Sequence, residues 1–354
     1  MSKCARITGT GSYIPENTTT NESFISNRFF DIDGVEINEP NTAIIEKFTA
    51  ITGIKERRYI DPDWVTSDMA FSAAKEAIAS AQVDPEAIDY IVVAHNYGDV
   101  KQDSIQSDMV PSLASRVKNL LQIENSDCVA YDILFGCPGW LEAVIQMNAY
   151  IKAGMAETCL IIGSEALSRV VDKHDRDSMI YSDGAGAAIL QGSETDGGII
   201  AHATETHTKE EAHFIHFDKS YQKLEKNTRH YIKMYGRKVY NFALKNVPVA
   251  MKNCLDKSNV SIDQIKKVFI HQANEKMDEA ICERFFKLYD REVPENVMPM
   301  SIGELGNSSV ATIPTLLDLV LKAKIEGHKI EPGDHVIFAS VGAGMNINAV
   351  VYQF

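Results

Sequence analysis

Three features that the sequence lacks already narrow what the protein can be. No run of about eighteen apolar residues is present, so we expect no membrane-spanning helix. The N-terminus has no charged region followed by an apolar one, as a signal peptide would, which predicts a cytoplasmic protein. Acidic residues outnumber basic ones, and the net charge is −14 over 354 residues, so we do not expect nucleic acid as the main partner.

Paired cysteines are also missing. The six cysteines form no CxxC motif, and no histidine lies near them at zinc-like spacing. In a cytoplasmic chain such cysteines are mostly buried small hydrophobic residues, so we predict no disulfides. His207, His213 and His216 lie near one another but not at a recognisable metal-binding spacing, and we predict no metal and no tightly bound cofactor.

What the sequence does contain is an internal repeat of short runs rich in Val and Ile. Residues 87–96 resemble 264–273, and residues 159–166 resemble 336–343. The separation is 177 residues in both cases, which is half of the chain. Short apolar runs separated by helix-length segments are typical of buried parallel strands covered by helices. We therefore predict an α/β fold.

The repeat divides the chain into two similar halves. We place them at 1–194 and 195–354, joined near Gly192–Gly198. Two polar stretches, 29–49 and 96–110, fall outside the repeat. They are either plain surface loops or a lid or wall of a substrate channel, since loops often carry functional groups.

The clearest chemical motif is the segment FGCPGWLEAVIQMNAYIKAG at 135–154. Pro138 suits the first position of a helix and Gly154 its end, which makes Cys137 the N-cap. The helix is apolar on most sides, so we expect it to be buried. Backbone dipoles at the start of a buried helix favour a thiolate over a thiol, so Cys137 is a candidate nucleophile.

Three further sites give weaker evidence for function when each is considered alone. His271 directly follows an apolar run, at the strand end where α/β sheets place their active sites, but it could equally be a structural histidine. Asn307 precedes a predicted helix at 308–324 and could be no more than a helix cap. The turn Gly342–Gly344 would let its backbone approach a ligand closely.

In this order, the four motifs resemble the thiolase-like condensing enzymes, and the ketoacyl synthase III group closely. The resemblance runs from ITGTGSYIPEN (7–17) through DRDSMIYSDGAGAAIL (175–190) to HQAN, LGNSS and the C-terminal GAGMNINAVVYQF. It implies a thiolase-like fold, in which two duplicated βαβ-type halves form five α-β-α-β-α layers. It also implies a homodimer.

The resemblance assigns roles to individual residues. It makes Cys137 the nucleophile that receives an acyl group, and His271 and Asn307 the pair that stabilises a malonyl or ketoacyl thioester during decarboxylative Claisen condensation. The implied backbone donors to the oxyanion are Cys137 and the three residues of the glycine turn, which are Gly342, Ala343 and Gly344. Arg176 is the implied contact to a cofactor phosphate or adenine.

Several positions depart from the family. Lys47 and Ile51 stand where members often have a Trp and an Arg that grip coenzyme A, and Lys276 replaces a frequent Arg. These changes favour a primer carried on acyl carrier protein over coenzyme A. From Lys226 to Leu255 there are seven basic residues and no acidic one, which is either a solvated helix face or a docking patch for an acidic carrier. The predicted docking residues are Lys233, Arg237 and Lys238.

Val110 stands before Pro111, where members with short primers often have Phe. A smaller side chain predicts a longer acyl pocket, and thus a medium or long acyl chain or a second ketoacyl unit. Fatty-acid synthesis and related secondary metabolism both remain open. So do a specialised enzyme that couples two acyl or ketoacyl thioesters to a resorcinol-type product, and a cysteine hydrolase with Cys, His and Asn in the same chain order.

Overall fold

The computed structural model describes residues 4–223 and 228–354, so Lys226 of the basic stretch lies outside the described residues. The strands are β1 (Cys4–Tyr13), β2 (Asn17–Thr20), β3 (Glu56–Tyr59), β4 (Tyr90–Ala94), β5 (Val129–Ile133), β6 (Thr158–Ala166), β7 (Asp183–Ser193), β8 (Gly198–Thr206), β9 (Ile215–Lys219), β10 (His230–Met234), β11 (Ile265–Ile270), β12 (His335–Gly342) and β13 (Asn346–Gln353). The α-helices are α1 (Asn41–Thr52), α2 (Thr66–Ala81), α3 (Leu113–Leu120), α4 (Gly139–Lys152), α5 (Gly236–Ser258), α6 (Glu275–Lys287), α7 (Ile302–Leu305) and α8 (Thr312–Leu321).

Two sheets share one strand arrangement. The first has the order β1-β7-β6-β4-β5, and the second has the order β8-β13-β12-β11. In the first sheet β4 and β6 are parallel, and β7 runs antiparallel between β6 and β1. In the second sheet β11 and β12 are parallel, and β13 runs antiparallel between β12 and β8. The predicted link between the halves lies between β7 and β8.

The strands that end each half, β7 and β13, run antiparallel to the predicted parallel strands. The segment between β6 and β7 contains only short 3-10 turns, and β12 is joined to β13 by Ala343–Met345 alone. A parallel connection needs a crossover of a dozen or more residues, usually a helix. The three-residue link between β12 and β13 permits only an antiparallel return, whereas the longer link between β6 and β7 contains no crossover α-helix, so both sheets are mixed.

The apolar cores show five layers, as predicted. One outer core joins α2 and α3 to the first sheet, and a second joins α5 and α6 to the other sheet. Between the sheets lies a central core in which Trp140 and Leu141 of α4 pack with Leu316 of α8. Val92 of the first sheet and Phe338 of the second belong to the same central core. The two central helices are therefore covered by a sheet on each side.

The start of α4 differs by one residue from the prediction. The helix begins at Gly139, and Pro138 instead of Cys137 is its N-cap. The amide of Gly139 is bonded to the carbonyl of Gly136, so a tight turn precedes the helix. Cys137 therefore lies in this turn, one residue before the cap. Within the described residues, none of the helices combines the length and the apolar character that crossing a bilayer requires.

Candidate active site

One cavity of about 420 Å³ is lined by Cys137, His271 and Asn307 together. Cys137 lies in the turn before α4, and His271 follows the C-terminal end of β11. Asn307 follows α7 and forms a backbone bridge with Tyr181. The structure thus brings together three residues that are far apart in the sequence, and the wall at this point is polar.

The Cys137 sulfur is held by a neighbouring hydroxyl. Ser309 Oγ donates a hydrogen bond to Cys137 Sγ over 3.3 Å. Burial nevertheless raises the pKa of Cys137 to about 11, against the smaller lowering effects of Ser309 and of a backbone amide. Desolvation of the charge therefore opposes the stabilisation of the thiolate that the helix start was expected to give. The thiol needs a proton acceptor before it can act as a nucleophile.

His271 is 3% exposed, and its environment keeps the ring neutral. Burial lowers the pKa of His271 to about 4. Nδ1 lies 2.6 Å from Thr312 Oγ1, which also approaches the carbonyl oxygen of Ser309 at 3.1 Å. The Thr312 hydroxyl carries one proton, so it donates either to the carbonyl or to Nδ1. The first arrangement leaves Nε2 as a base, and the second leaves Nε2–H as a donor.

The side-chain amide of Asn307 has a fixed orientation. Its Oδ1 accepts a hydrogen bond from the backbone N–H of Ser309 over 2.8 Å. The backbone of Asn307 is also anchored, since its N–H donates to Ile180 and its carbonyl accepts from Ser182. With Oδ1 occupied, the Nδ2 amide group is the part that can donate to a ligand in the cavity.

The glycine turn packs directly on the nucleophile. A side chain at Gly342 would collide with the backbone nitrogen of Cys137, so only glycine permits this approach. Gly344 has a φ of +78°, and Ala343 lines the cavity. The turn of the second half therefore lies against the turn of the first half, where backbone N–H groups can meet a developing oxyanion.

The predicted binding residues are spread over different places. Arg176 and Arg237 are exposed and line the cavity, and so does Lys47 of α1. Lys276 is exposed on α6 and is absent from the cavity lining. Val110 is 87% exposed and likewise lies outside that lining.

Lys233 corrects the predicted docking patch. It is 1% exposed, and its Nζ lies 2.6 Å from Asp172 and 3.1 Å from Asp175. Two carboxylates stabilise this charge in the interior, so Lys233 cannot reach a partner protein, and its prediction as a docking residue is wrong. Arg237 and Lys238 are exposed at the start of α5.

The polar stretches outside the repeat take part in the cavity. Residues 29–49 include most of α1, and Ile44, Phe48 and Ile51 of this helix line the cavity. From 96–110, only Asn96 and Tyr97 belong to the lining. Of the two interpretations, the cavity lining favours a channel wall for α1 and for the beginning of the second stretch.

The sequence analysis missed Ser309, Thr312, Glu165 and Asp177. Ser309 and Thr312 lie two and five residues after Asn307, Ser309 within the LGNSS motif and Thr312 just beyond it, and this closeness to Asn307 was the available signal. Glu165 accepts hydrogen bonds from Asn96, and burial raises the pKa of Glu165 to about 7. Asn96 also donates to Ser309 Oγ over 3.2 Å, which links Glu165 to the hydroxyl that touches the sulfur.

Comparison with known proteins identifies the group to which this site belongs. The family model of 3-oxoacyl-(acyl carrier protein) synthase III matches residues 131–208, and the model of its C-terminal part matches residues 255–354. The crystal structure of this synthase from Aquifex aeolicus is 30% identical, with a TM-score of 0.82 over 99% of this chain and 100% of that chain. The chain belongs to the 3-oxoacyl-(acyl carrier protein) synthase III family.

Two other structures extend the comparison. The synthase III from Thermus thermophilus is 29% identical, with a TM-score of 0.81 over 98% of both chains. OleA from Xanthomonas campestris is 17% identical, with a TM-score of 0.78 over the whole of both chains, and shows the fold alone. As a member of the synthase III family, the protein is a condensing acyltransferase with the thiolase-like fold, which sets the cysteine hydrolase aside.

Proposed function

We propose that the protein joins an acyl group held on Cys137 to a malonyl or ketoacyl thioester by decarboxylative Claisen condensation. One observation carries the proposal. A thiol, a neutral imidazole and an oriented amide line a single cavity beside a glycine turn. These groups supply a nucleophile, a proton acceptor and the donors that a developing oxyanion requires.

The first half-reaction loads the enzyme. Cys137 gives its S–H proton to Nε2 of His271, and its sulfur attacks the carbonyl carbon of a donor thioester. The oxyanion is stabilised by backbone N–H groups of Cys137 and of the glycine turn. When the intermediate collapses, the donor's carbon–sulfur bond breaks, and the donor thiol leaves with the proton from His271. In this step Thr312 donates to the Ser309 carbonyl and accepts from Nδ1–H of His271.

The second half-reaction needs His271 as a hydrogen-bond donor. The malonyl carboxylate leaves as carbon dioxide, and the electron pair moves into the thioester as an enolate. Nε2–H of His271 and Nδ2–H of Asn307 stabilise the enolate oxygen. The carbanion then attacks the acyl-Cys137 carbonyl, the carbon–sulfur bond breaks, and the released Cys137 thiolate takes up a proton from solvent to restore the thiol. Because the pKa of His271 is lowered to about 4 by burial, the ring enters this step neutral.

The substrate is proposed to be delivered by acyl carrier protein, with coenzyme A as the alternative donor. Arg176 and Arg237 are exposed where they line the cavity, and guanidinium groups bind phosphate well. Lys238 is exposed beside Arg237, so an acidic carrier protein would meet basic residues on this side. Lys276 is a further exposed basic residue on α6, outside the lining.

A medium or long acyl chain is proposed as the primer. Leu167, Ile180, Ile215 and Ile232 give the cavity apolar walls. The exposed Val110 would enter the cavity of a second copy in the proposed homodimer, where its small side chain leaves room for a longer chain. We place the enzyme in the cytoplasm, in fatty-acid synthesis or related secondary metabolism.

The test follows the mass of the intact protein. Purified enzyme is exposed to acyl donors of increasing chain length, each on acyl carrier protein and on coenzyme A, and the adduct is mapped by peptide analysis. Malonyl thioester is then added, and carbon dioxide and product are quantified. We expect acylation of Cys137, followed by release of the ketoacyl product with one carbon dioxide per turnover. Acylation at another cysteine, or no malonyl-dependent discharge, would contradict the proposal. Product formed from two acyl thioesters without malonyl would favour the resorcinol-type coupling enzyme.

A further inference from the structure

Two carboxyl groups line the active-site cavity, and their surroundings differ. Glu39 forms an ion pair with Lys47 of α1. Asp177 makes no side-chain hydrogen bond or ion pair with any residue in 4–223 or 228–354, although its backbone N–H is bonded to Asp175. Asp177 is half-buried, and a substrate that fills the cavity would displace the water that solvates its carboxyl, which costs free energy unless the substrate supplies a donor instead. The substrate is the natural candidate.

A buried cation that influences Asp177 is already paired with other carboxylates. Lys233 is held by Asp172 and Asp175 at 2.6 and 3.1 Å. Burial, with a further contribution from Asp175, raises the pKa of Asp177 to about 7, against the smaller lowering effect of Arg176. Lys233 is therefore paired with Asp172 and Asp175, whereas Asp177 remains at the cavity wall.

One oxygen of Asp177 lies beside a glycine. Gly236 also lines the cavity, and an added Cβ there would lie 3.7 Å from Asp177 Oδ2 and 3.9 Å from Met234 Cε. A larger residue would thus lie in contact with that oxygen and cover it. Arg176 and Arg237 are the immediate sequence neighbours of these two residues, so the carboxyl lies on the side of the cavity where phosphate binding is proposed.

We propose that Asp177 accepts a hydrogen bond from an N–H or O–H group of the thioester substrate and selects donors that carry such a group. This inference rests on the proposed function of the cavity. Two parts of the substrate could supply the group. The arm between the thioester and its phosphate carries amide N–H and hydroxyl groups, and an acyl chain can carry a hydroxyl. A carboxyl acceptor left unpaired rejects the analogue that lacks the donor, which gives discrimination by polarity as well as by length.

The test compares Asp177→Leu with the wild type. Rates of Cys137 acylation are measured by intact mass for three donors of one chain length. These are an acyl-pantetheine, the same acyl group on ethanethiol, which has no N–H or O–H, and its 3-hydroxyacyl form on ethanethiol. We expect the substitution to reduce the preference for one donor-bearing substrate over the plain ethyl thioester about tenfold or more. Loss with pantetheine identifies the arm, and loss with the hydroxyacyl form identifies the chain.

Two further variants control the comparison. Asp177→Asn keeps a carbonyl acceptor and should keep most of the preference. Glu39→Gln alters the carboxyl that Lys47 already satisfies and should leave the preference unchanged. If Asp177→Leu acylates Cys137 with wild-type preferences, or slows all three donors equally, the inference is overturned while the proposed function stands. If the wild type is not acylated on Cys137 by any donor, the proposed function itself fails.

Discussion

Each half of the chain places a histidine directly after a buried parallel strand, and the two histidines have different surroundings. His95 follows β4, and His271 follows β11. His95 Nδ1 accepts from the Gly98 amide and its Nε2 lies 3.0 Å from Asp132, so both ring nitrogens are occupied. Among the residues that the structure describes, His271 has a hydrogen-bond partner for Nδ1 alone, which is Thr312, and it lines the cavity. Duplication of the strand end therefore produced one structural and one candidate catalytic histidine.

The residues that precede the two central helices, α4 and α8, also differ between the halves. Cys137 precedes α4 in the first half, and Ser309 precedes α8 in the second. The two side chains meet, since Ser309 Oγ donates to Cys137 Sγ. The halves thus contribute different chemistry at equivalent positions, and the site exists only where the two halves face each other.

The largest expected effect comes from the sulfur. Cys137→Ala should reduce product formation by about a thousandfold or more, because Cys137 carries the acyl intermediate in the proposed reaction. Cys159→Ala, at a buried cysteine of β6, is the matched control and should leave turnover close to wild type. Product is quantified by mass spectrometry. Substantial turnover of Cys137→Ala would contradict the assigned nucleophile.

Substitution by Ala should mainly reduce activity at His271 and mainly reduce stability at His95. His271→Ala should slow malonyl decarboxylation about a hundredfold to a thousandfold, through loss of one enolate donor. His95→Ala should mainly lower the free energy of unfolding by about 1–3 kcal/mol, because the hydrogen bonds to Gly98 and Asp132 are lost. Carbon dioxide release and urea denaturation are measured for both. Equal losses of activity would break the comparison.

The hydroxyl of Thr312 should matter through the tautomer of His271. Thr312→Val removes the hydroxyl at nearly the same shape, and we expect a tenfold to hundredfold loss of activity. Thr312→Ser keeps the hydroxyl and should recover most of it. The ¹⁵N chemical shifts of His271 report the tautomer directly. An unchanged rate in Thr312→Val would show that Nδ1 needs no partner.

The pH dependence should separate the imidazole from other groups. Since burial lowers the pKa of His271 to about 4, the ring stays neutral above that value. Malonyl decarboxylation should therefore be lost through His271 only as the pH falls towards about 4, and not near its ordinary value of 6.5. The rate is followed between pH 4 and 8 in constant-ionic-strength buffers. A decline centred near pH 6.5 that disappears in His271→Gln would be contrary to this account.

The smallest expected effect concerns the helices that follow β4 and β11. The buried side chains of α3 are apolar, whereas α6 buries Asp278 completely. Burial raises the pKa of Asp278 well above its ordinary value, so the folded protein binds a proton that the unfolded chain loses. Stability therefore falls as pH rises above about 4, by up to about 1.4 kcal/mol per pH unit. Urea denaturation at pH 5 and 7 should show this slope, and Asp278→Asn should reduce it. A slope that Asp278→Asn leaves unchanged would assign it to other groups.

The sequence by itself determined the elements that depend on local order. The Val- and Ile-rich runs predicted β4, β6, β11 and β12. The motifs around Cys137, His271 and Asn307 indicated the three residues that line one cavity. These signals are readable because burial and helix starts leave a mark within a few neighbouring residues.

Only the tertiary structure decided what surrounds each group. It paired Lys233 with two carboxylates in the interior instead of leaving it at the surface, and desolvation raised the pKa of Cys137. It also placed Thr312 on His271 and left Asp177 facing the cavity. Burial and hydrogen-bond partners depend on chain segments that are distant in sequence, so no local pattern carries them. The residues were readable from the sequence, but their protonation and their partners follow from the packing of the two halves.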